Sequence, residues 1–170
     1  MNIRTIFFIS FVAFSLNSCG YRTGSIPGAA LREIKKIHVP VAENKTFQPA
    51  LGQIVTDTVI QRLMRDGTLT VSDERYSDAT LIIKITDIQR RPQRSTMADQ
   101  RRTAEYQLRI IADIALTRSS DGVILLKTNG LVGNTDYFVG QDLQEAERQS
   151  LGLAAEKLAE NIVLQIVEGW

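Results

Sequence analysis

Few side chains here have the chemistry for catalysis or metal binding. Among 170 residues there is one cysteine, Cys19, and one histidine, His38. A lone thiol makes no internal disulfide, so packing alone must hold the fold. A lone histidine removes most metal sites and leaves a nucleophilic triad with one available base. His38 sits between Ile37 and Val39 in an alternating stretch. An imidazole so placed usually serves a local hydrogen bond. No HExxH, CxxC pair or P-loop occurs. Gly130-Leu131-Val132-Gly133 echoes a glycine-rich loop without the lysine that a phosphate cradle uses. Nothing positive points to an enzyme, a metal or a cofactor; only dispersed carboxylates leave hydrolysis open.

The charged side chains say more. Lys and Arg total 20 against 19 Asp and Glu, so no global field attracts nucleic acid. One stretch departs from that balance: QRRPQRSTMADQRR, residues 89–102. Arg90, Arg91, Arg94, Arg101 and Arg102 are offset there only by Asp99. The stretch joins two long alternating runs and is expected to form the far end of a hairpin. If the hairpin zips, Arg90 and Arg91 approach Arg101 and Arg102, and like charges across strands repel. A phosphate or carboxylate partner would relieve that repulsion, because guanidinium forks grip such groups in pairs. The other reading is a solvated loop with its arginines in water.

Cys19 belongs to a different context. A short basic start ending at Arg4 precedes IFFISFVAFSL, which carries no charge. This run is too brief for a membrane span, which needs about 20 residues, and has the form of a signal-peptide core. Leu16-Asn17-Ser18-Cys19 resembles the lipobox of bacterial lipoproteins. That resemblance implies removal of residues 1–18 and acylation of Cys19. Several buried chains at about 0.8 kcal/mol per methylene would then hold the protein on a membrane. A free cysteine in an ordinary secreted protein is the plainer alternative. Gly20 after the cysteine lacks the Asp that retains such lipoproteins at the inner membrane, which implies the outer one.

The elements that must position these residues follow from periodicity. GYRTGSIPG, within 19–30, reads as a tether, and 31–170 as a single folded domain. Ile37, Val39 and Val41 alternate in a strand that Pro40 should place at an edge or terminate. From Ala50 to Arg65, Leu51, Ile54, Val55, Thr58, Leu63 and Met64 recur at helical spacing. A weak strand at 69–71 and a strong one at 80–88 follow, the latter burying Leu81, Ile83 and Ile85. Tyr106, Leu108, Ile110, Ala112, Ile114 and Leu116 share one face of the next strand. The turn at Asp121-Gly122 returns the chain through 123–133. Residues 142–167 form the last helix, with Leu143, Ala146, Leu151, Ala154, Leu158, Ile162 and Ile166 on its apolar stripe. The expected fold is α+β. Its mostly antiparallel sheet has four strands, or five with the weak one, and two amphipathic helices cover one face.

Cys19-Gly20-Tyr21, IHVPVAENKTFQP (37–49), LGQIVTDTVIQRLMRDGTLTV (51–71) and SDATLIIKITDIQRRP (77–92) together resemble the LptE family. Ala42 stands where a Phe is common, and Asp78-Ala79 where Ala-Asp is. The resemblance implies an outer-membrane lipoprotein that plugs the β-barrel LptD, helps the barrel assemble, and assists lipopolysaccharide delivery to the outer leaflet. It implies no catalysis and no nucleic acid partner, and it gives the arginines a phosphate or acidic sugar to meet. Without the resemblance, the same lipobox and small domain also fit an activator of a cell-wall synthase or a secretin pilot.

Overall fold

The computed structural model describes residues 33–94, 104–139 and 143–168. The leader at 1–18, the tether at 19–30 with Cys19, Arg101, Arg102 and Trp170 lie outside the described residues. In chain order the elements are β1 (Lys36–His38), β2 (Glu43–Asn44), α1 (Leu51–Asp66), β3 (Thr70–Val71), a 3-10 turn (Glu74–Tyr76), β4 (Ala79–Arg94), β5 (Ala104–Arg118), β6 (Ile124–Val139) and α2 (Leu143–Glu168). The strands form one sheet in the order β3-β1-β4-β5-β6, with β2 also paired to β4.

The α+β class and the two helices agree with the sequence reading, but the sheet does not. It has six strands rather than four or five, and it is mixed. The strands β4, β5 and β6 are antiparallel, whereas β1 runs parallel to both β3 and β4, and β2 parallel to β4. The physical reason is α1: a helical crossover returns the chain to the end where β1 began, so the next strand lies parallel.

Pro40 explains a second difference. Ile37 and Val39 are buried as expected, but Val41 is 64% exposed and Ala42 takes the inward place. With no N–H to donate at Pro40, β1 stops at His38 and the chain resumes as β2 farther along β4. Nor is β1 an edge strand, since it lies between β3 and β4. Asp78 secures this junction. Its Oδ2 accepts the N–H groups of Lys35 at 2.9 Å and Lys36 at 2.8 Å. Those two donors hold the Asp78 carboxyl below its usual range.

The core lies between one face of the sheet and the helices. Leu81, Ile83 and Ile85 of β4 and Leu108, Ile110, Ala112, Ile114 and Leu116 of β5 are buried there, as the alternation predicts. Leu51, Val55, Val59 and Leu63 form the inner stripe of α1. Met64, expected inside, is 69% exposed because the stripe runs strictly at four-residue steps. Thr56 is buried with its hydroxyl satisfied: Oγ1 accepts the Ala42 N–H and donates to the Gly52 carbonyl, both at 2.8 Å. Along α2, the expected positions Leu151, Ala154, Leu158, Ile162 and Ile166 are buried, joined by Ala155, Ala159 and Val163.

These alanines let α2 come very close to β6. At Gly133 there is no room for a side chain: a Cβ would overlap the Ala154 carbonyl and the Leu158 backbone nitrogen. The side chain of Asn161 then donates to the Val132 carbonyl at 2.7 Å. Gly133→Ala is therefore expected to force α2 off the sheet, at a cost of about 2–4 kcal/mol. A lowered urea midpoint at unchanged slope checks it; wild-type stability would show that the helix yields freely.

Candidate functional site

The arginine stretch of 89–102 straddles the end of β4. Its geometry is set earlier, at Thr86. Ile85 pairs with Ala112 and Asp87 with Ile111, which leaves Thr86 as an extra residue with no partner. One such bulge reverses the inside–outside phase of everything beyond it. Before the bulge Leu81, Ile83 and Ile85 point into the core; after it Ile88 packs against the core instead. Arg90 therefore lies on the helix-covered side, opposite buried Leu108, and Arg91 on the other side, opposite Gln107.

Arg90 is fully engaged there. Its Nε donates to Glu147 Oε1 at 2.9 Å, and Nη2 bonds the same oxygen and also Gln48 Oε1, the latter at 3.2 Å. This one guanidinium ties β4 to α2 and to the loop before α1. Tyr137, opposite Tyr106 on β6, stands beside it. The rings lie 5.9 Å apart at 30°. Burial raises the Tyr137 hydroxyl above its usual range, and the nearby Glu147 charge adds to that. Arg90 is thus a structural cation with its anion supplied by the protein.

Arg91 has a different setting, exposed on the helix-free side. Its cross-strand neighbour is Gln107, not an arginine, so the repulsion expected across the zipped hairpin does not arise at this level. A second bulge, at Gln93, follows Pro92, and Arg94 ends β4 opposite Glu105. Arg101 and Arg102 fall outside the described residues. Of the five arginines, the structure therefore places Arg90 and Arg91 on opposite faces. Sequence reasoning missed Glu147 and Gln48, which lie 57 and 42 residues from Arg90 along the chain.

The other sequence candidates take structural places. His38 Nδ1 lies 3.4 Å from the carbonyl of Ser72, 34 positions along the chain, so its contact is structural but not local in sequence. The 130–133 glycine pair is inside β6: Gly130, at φ 70°, forms a bulge whose N–H binds Asp113 Oδ1 at 2.9 Å, and Gly133 is the contact with α2. A cleft of about 220 Å³ lies among α1, α2 and β6, lined by Thr58, Arg62, Asn134, Lys157 and Glu160 among others. Its Glu160 is held below the usual carboxylate range, chiefly by the hydrogen bond from Lys157 at 2.9 Å. That shift is opposite to the one a general acid needs. Among the described residues no three metal-ligating side chains cluster, and no helix is long and apolar enough to cross a membrane.

With this geometry in hand, the chain can be compared with known proteins. A family model described as LptE, lipopolysaccharide-assembly, matches residues 34–166. No curated protein matches. Among solved structures, a candidate lipoprotein of Caulobacter crescentus is 18% identical with a TM-score of 0.53, over 77% of this chain and 87% of its own. A Xanthomonas campestris protein is 14% identical at a TM-score of 0.51, over 85% and 92%. A candidate neuraminyllactose-binding hemagglutinin homologue of Helicobacter pylori is 9% identical at 0.54, over 86% and 88%. At these identities the likeness is one of fold.

The two described arginines should respond differently to charge reversal. Arg90→Glu loses a solvent-screened ion pair and sets two carboxylates together, and is expected to cost about 1–2 kcal/mol, whereas Arg91→Glu should stay within about 0.5 kcal/mol of wild type. Urea unfolding of both variants decides; equal losses would contradict the opposed faces.

Proposed function

The chain belongs to the LptE family of lipopolysaccharide-assembly proteins, and from that premise we propose that it is an outer-membrane lipoprotein that plugs an LptD-type β-barrel. In this role Cys19 carries the lipid anchor, and the domain helps the barrel assemble and helps deliver lipopolysaccharide to the outer leaflet. The work is done by occupancy and binding, without catalysis. The observation that carries the reading is the extent of the family match, which spans both helices and all six strands almost end to end. The lipobox supports the anchoring, since the motif supplies the chemistry for it.

Lipopolysaccharide contact is assigned to the arginine hairpin. Arg90 is already neutralised by Glu147, so an incoming anion gains less from it than from Arg91, which is exposed and faces Gln107 across the strands; Arg94, Arg101 and Arg102 complete the proposed site. Arg90 serves as the brace at the hairpin's base. Guanidinium groups at a hairpin end suit phosphate or the acids of sugars, which they bind bidentately.

Two outcomes are expected. From native membranes in mild detergent, the C-terminally tagged chain should bring down a large β-barrel protein in near one-to-one amount, and Cys19→Ala should release it from the membrane fraction. Recovery with a synthase, a secretin or no partner would refute the plug. Separately, Arg91→Glu with Arg94→Glu should weaken lipopolysaccharide binding about tenfold while leaving barrel recovery intact. Unchanged lipopolysaccharide affinity, extended to all five arginines, would return the hairpin to a solvated loop.

A further inference from the structure

The loop between β2 and α1 is braced from within. Asn44 Oδ1 accepts the N–H of Thr46 at 2.9 Å and its hydroxyl at 2.7 Å. Asn44 Nδ2 donates to the Gln48 carbonyl at 2.9 Å, and the Gln48 N–H donates to Thr46 Oγ1 at 3.2 Å. From outside, Lys45 N–H binds the Ile85 carbonyl at 3.0 Å, and Arg90 holds the Gln48 side chain. The sequence element N-x-T-x-x-P is thus a small cage in which Asn44 and Thr46 face inward. The residue between Thr46 and Gln48 is turned out: Phe47 is 105% exposed, against 70% for Tyr76, the next most exposed large hydrophobic side chain among the described residues.

Single exposed apolar residues are ordinary on protein surfaces. Phe47 differs because the loop around it is fixed by side-chain hydrogen bonds that leave its ring without a contact. An aromatic ring presented on a rigid support loses little entropy on docking, which is how interface anchors gain their strength. The loop also stands on the same guanidinium that links β4 to α2, so its position is tied to the core.

We propose that Phe47 is a docking anchor that inserts into an apolar pocket of the partner protein. Resting on the plug reading above, that partner is the β-barrel. A lipid surface fits the loop poorly. Glu43 pairs with both Lys45 and Lys84, which leaves a net of one positive charge beside the ring, short of the cluster of about four or more that draws a segment to anionic headgroups, and one ring lacks the broad apolar face of a membrane-seated element.

The test puts the photoreactive analogue p-benzoylphenylalanine at position 47 of the full chain in its native host, with position 76 as control. Irradiation should join position 47, and not position 76, to the barrel. In parallel, Phe47→Asp should lower barrel recovery at least about tenfold with an unchanged urea midpoint, because the ring supports nothing within the domain. If wild type recovers the barrel but position 47 joins only lipid, another copy of the chain or nothing, the anchor is wrong and the plug stands. Undiminished recovery with Phe47→Asp overturns it equally. If wild type recovers no barrel, the plug reading fails, and this partner fails with it.

Discussion

A strand that keeps one face against helices for 16 residues must keep its alternation in step with its neighbours, and in β4 that step is reset at Thr86. The extra residue has no cross-strand counterpart, yet it decides what the side chains from Ile88 to Pro92 meet, up to the second bulge at Gln93. Without it Arg91 would point at the helices and Arg90 at the open face. With it Ile88 continues the core, Arg90 reaches Glu147 on α2, and Arg91 is presented outward. A bulge of this kind is a local distortion with a long lever, because strand periodicity carries the phase change along the strand until another bulge resets it.

The same logic repeats in β6. Asn129 and Gly130 stand opposite Asp113 alone, and the left-handed Gly130, whose N–H donates to Asp113 Oδ1, closes that bulge. Beyond it Gly133 and Tyr137 face inward. Gly133 gives α2 its close seat, and Tyr137 lies beside the Arg90–Glu147 bridge. Two bulges in two strands therefore bring one glycine, one tyrosine and one arginine to the same side, under a single helix. The domain gains a firm end to its sheet at the place from which the arginine hairpin extends.

This arrangement separates the arginines by task. A partly exposed guanidinium that meets its own carboxylate and a neighbouring amide is committed to holding elements together. An exposed one is free to meet an outside anion. The loop carrying Phe47 leans on the committed arginine through Gln48, so the brace at the hairpin's base also fixes the outward aromatic ring. In the proposed role the domain acts by contact, and rigid placement of the contact groups is what that role requires of the fold.

The sequence alone determined the classes of element and most of the core. Leu108 to Leu116 alternate without interruption, and the stripe from Leu151 to Ile166 repeats at helical spacing, because burial on one face selects apolar residues at the period of the element. Family membership was likewise legible, as local strings of residue type. Tertiary structure alone decided strand direction, phase and pairing. The parallel placement of β1 depends on where α1 returns the chain, the burial of Ala42 rather than Val41 on the interruption at Pro40, and the fate of Arg90 on an extra residue at Thr86 and an acid 57 positions away. Periodicity reports the face a residue prefers within its own element. It carries no information about a slip in register or about which distant side chain waits on the other side, because both are settled only when the strands pair and the helix lands.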